Sequence, residues 1–269
     1  MTKLGPLGAA SADLNSDDTG FAGTLAAELE EFGYSTLWMA GGQGNNLPQI
    51  RNAVRATSRV PVASGILSVD RVPAAEVTAA YTELSASHPG RFLVGLGGAH
   101  GPRPLATLNH YLDAVQPAVP ASHRVLAALG PRMLELARDR AAGAYPYLVT
   151  TDYVASAREI LGPDRQLAVL VNVVPEADPA TARAAVRNGS LRFLASVPGY
   201  AGNLRRMGFT DADLADLSDR LVDAVTVWGD LDRAVRRIGE YRAAGADQVV
   251  VQLAGLPRDW WEALPVAVR

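Results

Sequence analysis

The 269-residue chain contains no cysteine. That absence excludes a disulfide framework, thiolate zinc sites, iron–sulfur clusters and a cysteine nucleophile. Lysine is almost missing too. Of 25 basic residues only Lys3 is a lysine, which leaves no interior amine for a Schiff base. Excess positive charge is also lacking: the formal net charge of −3 argues against nucleic acid as a partner, because phosphate contacts need a basic surface. No window approaches the ~20 apolar residues of a membrane span, and the first residues do not read as a signal peptide. The expectation is therefore a soluble, cytoplasmic protein with no membrane partner.

Several motifs are absent as well. There is no G-x-S-x-G elbow, no phosphate-binding P-loop and no H-E-x-x-H, so serine hydrolase, nucleotidase and zinc protease chemistry lack their sequence signatures. No G-x-G-x-x-G follows the first apolar run. The four histidines lack ligand spacing, and Asp13, Asp17 and Asp18 lack the rest of a calcium loop, so no metal is expected.

What is present is a globular mixture, 48% hydrophobic and 20% charged. Short apolar runs occupy residues 3–9, 36–40, 60–67, 91–96, 123–128, 144–149, 167–174 and 247–253. Most are apolar throughout, which suits parallel strands covered on both faces. Segments of helical period lie between them. Phe21, Leu25, Leu29 and Phe32 share one face with Glu30 and Glu31 turned away, and Gly33 is placed to stop that helix. Leu231, Val235, Ile238 and Tyr241 form a second stripe, closed by Gly245. Pro131 stands where a first helical residue would be, with Met133, Leu134, Ala137 and Ala141 facing inward. Eight strands with seven helical crossovers fit a single α/β domain over 1–269, a (β/α)8 TIM barrel, with an open doubly wound sheet as the alternative. Some 80 residues separate the starts of the seventh and eighth runs, so a helical insertion is expected over approximately 175–245.

In a barrel, reacting groups gather at the carboxyl ends of the strands. There the sequence places the glycine-rich MAGGQGNN after the second run, Gly65 in the third, and Gly97, Gly98 and His100 after the fourth. His100 is the one histidine expected on that rim; His123 begins a strand, and His88 and His110 belong to helices. After the fifth run, Gly130, Pro131 and Arg132 offer a helix N-terminus and a guanidinium, a combination that suits phosphate or simply starts a helix. After the sixth, Thr151 or Asp152 reads by default as a helix cap.

Taken together, EEFGYSTLWMAGG, ATSRVPVASGILSV, ELSASHPGRFLVGLGGAH, VLAALGPRMLELARDRAAGAYPYLVTTDY and AGADQVVVQL resemble the luciferase-like monooxygenase superfamily, in particular its branch dependent on the deazaflavin coenzyme F420. The resemblance implies a homodimeric luciferase-like TIM barrel that transfers hydride to or from a small organic substrate. The ring would lie across the barrel mouth against a non-proline cis peptide at Gly65–Ile66. Gly97, Gly98 and His100 would border its reactive edge, with His100 as the catalytic acid or base. Gly130, Pro131 and Arg132 would hold the cofactor phosphate, flanked by Thr150 and Thr151. Two alternatives stay open: an FMN-dependent monooxygenase of the same fold, and a non-catalytic cofactor-binding barrel. The second is kept because the family's acid–base position after strand two falls on Gly41–Gly42, no acid closely follows His100, and the connection from His100 to Pro104 is short.

Overall fold

The computed structural model describes residues 4–41 and 44–268. Lys3, Gly42 and Gln43 therefore lie outside the described residues. The strands are β1 (Leu7–Ser11), β2 (Leu37–Ala40), β3 (Val62–Gly65), β4 (Leu67–Ser68), β5 (Phe92–Gly97), β6 (Arg124–Leu126), β7 (Gly143–Ala144), β8 (Gln166–Val174), β9 (Val227–Trp228) and β10 (Gln248–Gln252). All pairings between them are parallel, and β10 joins both β1 and β8. The sheet thus closes in the order β1-β2-β3-β5-β6-β7-β8-β10, which is a TIM barrel and not the open-sheet alternative. β4 prolongs the β3 stave along β5, and β9 prolongs the pairing of β8 beyond the mouth.

Two predicted runs break for visible reasons. The run over 60–67 divides at a cis peptide between Gly65 and Ile66, where the resemblance places one. The run over 144–149 pairs only at its start and, by a single bridge, at Tyr147 opposite Leu170. Pro146 has no N–H to give to a ladder, and Leu148 takes a left-handed φ of 56°.

The helices are α1 (Thr19–Phe32), α2 (Leu47–Ala56), α3 (Ala74–Ser87), α4 (Pro104–Val115), α5 (Pro131–Arg140), α6 (Thr151–Leu161), α7 (Pro179–Asn188), α8 (Leu191–Leu194), α9 (Pro198–Arg206), α10 (Asp211–Asp216), α11 (Asp219–Val225), α12 (Leu231–Ala243) and α13 (Arg258–Ala267). Their apolar faces and the outward faces of the strands make the main core, which includes Leu29, Val62, Leu134, Val169 and Tyr241. α12 falls within the range read as an insertion, yet Ala234, Ile238 and Tyr241 bury it in that main core. α7 to α11 instead gather around a core of their own, built from Val186, Leu191, Leu204, Leu221 and Val222.

α1 corrects one detail. Its buried face is Ala22, Leu25, Ala26, Leu29 and Glu30, while Phe21 is 52% exposed. Glu30 turns inward because its carboxylate accepts the backbone N–H groups of Ser58, Arg59 and Val60 at 2.6–2.8 Å, tying α1 to the segment that enters β3. Gly33 ends the helix at φ 98°, as its position predicts.

Candidate functional site

The barrel interior is lined by every second strand residue. Ala10, Trp38, Ala63, Leu93, Val125, Tyr145, Ala168 and Val250 form one interior cluster. Trp38 and Tyr145 stack at its centre, with ring centroids 4.0 Å apart and planes 5° apart. Trp38 Nε1 donates to Gln248 Oε1 at 2.8 Å, and Gln248 Nε2 donates to the Gly5 carbonyl at 2.8 Å, so the indole and this amide are paired across the floor.

Above this floor the two halves of the mouth differ. Continuing the alternation, β2, β3, β5 and the end of β6 present Ala40, Gly65, Gly95, Gly97 and Ala127, all small. Ile66 fills part of that space. A Cβ at Gly97 would lie 3.3 Å from its side chain, and one at Gly95 would lie 3.5 Å from it. The Ile66 carbonyl leans the other way, 2.2 Å from where a Cβ of Gly41 would be. No side chain fits at position 41 without moving that segment, which gives a steric reason for the glycine there. The opposite half is larger and polar, with Tyr147 after β7, Asn172 on β8 and Gln252 on β10.

The rim carries an imidazole and a carboxylate. His100 is exposed, and Asp70 Oδ2 accepts its backbone N–H at 2.8 Å and lies 3.3 Å from its Nδ1. Asp70, just beyond β4, escapes sequence reasoning because it follows a different strand from its partner. Gly98, at φ 74°, brings the chain close to Ser68 and turns it toward His100.

A cleft of about 740 Å³ opens beside the mouth between α5–α6 and the helices of the insertion. Pro131, Thr150, Thr151, Asn203 and Arg206 line it. Gly130 is the N-cap of α5 and no side chain caps that first turn, so the positive end of the helix faces the cleft uncompensated. Arg206 overhangs it: a Cβ on Gly130 would sit 3.3 Å from Arg206 Nη2. That guanidinium donates to Asn203 Oδ1 at 3.1 Å and forms no ion pair among the described residues. Asn203 is 2% exposed, and its Nδ2 is a buried donor without a described partner. Arg132 is exposed and stands outside the cleft lining, whereas Arg206 from the insertion reaches over Gly130. Thr150, rather than Thr151 or Asp152, caps α6 by accepting the Tyr153 N–H at 3.1 Å. Tyr153 in turn donates to the Leu129 carbonyl at 2.9 Å, and its burial raises the phenol pKa, fixing it as a neutral strut under the cleft.

The remaining histidines lie elsewhere. His123 meets the Tyr81 hydroxyl at the amino end of the barrel, where burial lowers its pKa. Among the described residues no three His, Cys, Asp or Glu side chains converge as a metal site.

This barrel fold is shared with solved structures of F420-dependent enzymes and of an FMN-containing monooxygenase. The chain superposes on the coenzyme F420-dependent tetrahydromethanopterin reductase of Methanopyrus kandleri with a TM-score of 0.75, over 98% of this chain and 97% of that one, at 16% identity. An F420-dependent secondary alcohol dehydrogenase, in complex with an F420–acetone adduct, gives 0.74 over 99% of both chains at 14% identity. The oxygenating constituent of 3,6-diketocamphane monooxygenase from Pseudomonas putida, in complex with FMN, gives 0.66 over 100% and 98% at 14% identity. No protein-family model and no curated protein sequence matches the chain.

Proposed function

We propose that this chain is an oxidoreductase that binds coenzyme F420 across its barrel mouth and acts on a small organic substrate. The observation that carries the reading is the pairing of two unlike sites. A flat, small-residue half-mouth walled by Ile66 lies near a cleft with an uncapped helix N-terminus, an Arg206 that forms no ion pair among the described residues and an Asn203 Nδ2 without a described partner. The first suits a planar ring and the second an anion, which together match a ring carrying a phosphate. The likeness to F420-dependent and FMN-containing barrels supports the same class of ligand.

When bound, the cofactor supplies two-electron hydride chemistry. The chain's own residues do the rest. Gly65, Ile66, Gly97 and Gly98 support the ring. Gly130, Pro131, Thr151, Asn203 and Arg206 hold the phosphate, with Thr150 fixing the start of α6 beside it. His100 holds or releases a proton at Nε2, its ring oriented by Asp70.

Titration of the purified protein with F420 and FMN in parallel, followed by fluorescence, tests the reading. F420 binding, with little oxygen consumption by the reduced complex, is the expected result. Preferential FMN binding and rapid oxygen consumption would instead support a monooxygenase, and failure of both ligands to bind would remove the redox proposal.

A further inference from the structure

The wall of the mouth facing Ile66 carries chemistry that the cofactor-binding residues above do not use. In the closed order β1-β2-β3-β5-β6-β7-β8-β10, the stave four places from β3 in either direction is β8. A flat group resting on Ile66 therefore turns its other face toward β8. The inward positions of β8 are Ala168 and Leu170, both in or against the interior cluster, followed by Asn172 at the carboxyl end. On β10, Gln252 is in register with Asn172 and follows the inward residues Gln248 and Val250. On the other side, Tyr147 bridges Leu170, two residues past the inward Tyr145.

Three adjacent staves thus place a phenol and two carboxamides side by side on one wall. All three are half-buried, and neither Asn172 nor Gln252 hydrogen-bonds through its side chain to any described residue. Two amides near the centre of a barrel with their hydrogen-bonding capacity unspent are oriented for something that enters from outside. Tyr200 of α9 meets Tyr147 edge-on, ring centroids 6.3 Å apart, and roofs the wall. The inward residues at this level, Ala40, Gly65, Gly97, Ala127, Tyr147, Asn172 and Gln252, include no charged side chain. Burial raises the phenol pKa of Tyr147, outweighing a side-chain hydrogen bond with Ser190 that acts to lower it, and pushes that of Tyr200 up to about 12, so both hydroxyls stay protonated. The arginines of the neighbouring cleft stand outside this ring of staves.

We infer that Tyr147, Asn172 and Gln252 form the substrate-orienting surface, and that the substrate is a small uncharged molecule presenting a carbonyl or hydroxyl oxygen to these donors. This rests on the proposal that a planar cofactor lies against Ile66. A carboxylate or phosphate substrate finds no cation at this wall, and its desolvation would go uncompensated.

The test uses shape-matched probes: cyclohexanone against cyclohexanecarboxylate, and benzamide against benzoate. Binding is measured by ligand-observed NMR on the protein saturated with the ring cofactor, and the cofactor affinity is measured on the same samples. Expected is preferential binding of at least one neutral probe over its carboxylate partner. Asn172→Leu and Gln252→Leu should each weaken that probe roughly fivefold or more, the effect of one lost hydrogen bond, while cofactor affinity changes less than twofold. Asn172→Asp, which keeps the shape but loses the N–H donors, should weaken it as well and covers the case in which the leucine variant fails to fold. Carboxylates binding at least as well as the neutral probes, or variants without effect in a protein that still binds cofactor, would overturn this inference alone. Failure of both F420 and FMN to bind would overturn it together with the reading on which it rests.

Discussion

At the scale of single residues, the distinction between Arg132 and Arg206 can be measured directly. Both are arginines near the start of α5, but only Arg206 lines the cleft and overhangs Gly130. Arg206→Ala should weaken cofactor binding by about tenfold, since a charge-assisted hydrogen bond contributes about 1.5–3 kcal/mol, and the loss should shrink as salt screens the attraction. Arg132→Ala should change affinity by less than twofold. Fluorescence titrations at low and high ionic strength provide the comparison, and equal losses in the two variants would return the phosphate to Arg132. Sequence alone could not separate them. Arg132 sits beside the helix start in the chain, whereas Arg206 arrives from 74 positions further along through the packing of the insertion. The same limit hid Asp70. With the backbone N–H and the imidazole of His100 both turned to it, Asp70→Ala should reduce turnover several-fold through loss of orientation and leave cofactor affinity intact.

At the scale of elements, Glu30 shows why an alternating pattern of charge can mislead. Period and polarity put it on the solvent side of α1, but the three N–H groups before β3 need an acceptor and the carboxylate supplies it. Burial acts to raise its pKa; the hydrogen bonds from Ser58, Val60 and Arg59 and the Arg59 charge outweigh that and leave it below its ordinary 4.5. The sign of the linkage follows. A carboxylate depressed in the folded state adds stability above its unfolded pKa, and this is lost as pH falls through the folded value. Glu30→Gln should therefore destabilise the protein at neutral pH by about 1–3 kcal/mol. It should also flatten the decline in melting temperature below pH 4.5, and a decline as steep as that of the parent would exclude this role. The strands were more legible. Mostly apolar runs marked the eight staves, and the glycines of the third and fourth runs fall on the small-residue side of the mouth. The wall opposite was legible in principle. Asn172 and Gln252 are the lone polar residues at the ends of VLVNVV and VVVQL, spaced by two from inward neighbours, and a polar residue there has no reason to face the main core.

At the scale of the whole molecule, the cleft joins two bodies that pack separately. α5 and α6 belong to the barrel and its main core, while α9 is held by Leu204, Leu221 and Val222 in the core of the insertion. That smaller core is reinforced by Arg183, which pairs with Asp219 at 2.8 Å and with Asp223 at 2.6 Å. A short helix cluster with its own modest core opens at lower free energy than an eight-strand barrel does. Hydrogen exchange in α7 to α11 should therefore exceed that of β5, β8 and β10, with the barrel strands exchanging last. Truncating Leu221 to Ala removes a fully buried side chain from the insertion, at a cost of about 2–5 kcal/mol, and should speed exchange in α9 more than in α5. Because Asn203 and Arg206 ride on α9 while Gly130 belongs to the barrel, a ligand that engages all three must couple the two bodies. Saturating cofactor should slow exchange across α9 in the parent, and more so in Leu221→Ala, by drawing the open insertion back onto the helix start. Unchanged α9 exchange on cofactor binding would mean that the phosphate rests on the barrel side alone, with the insertion serving only as a roof over Tyr147.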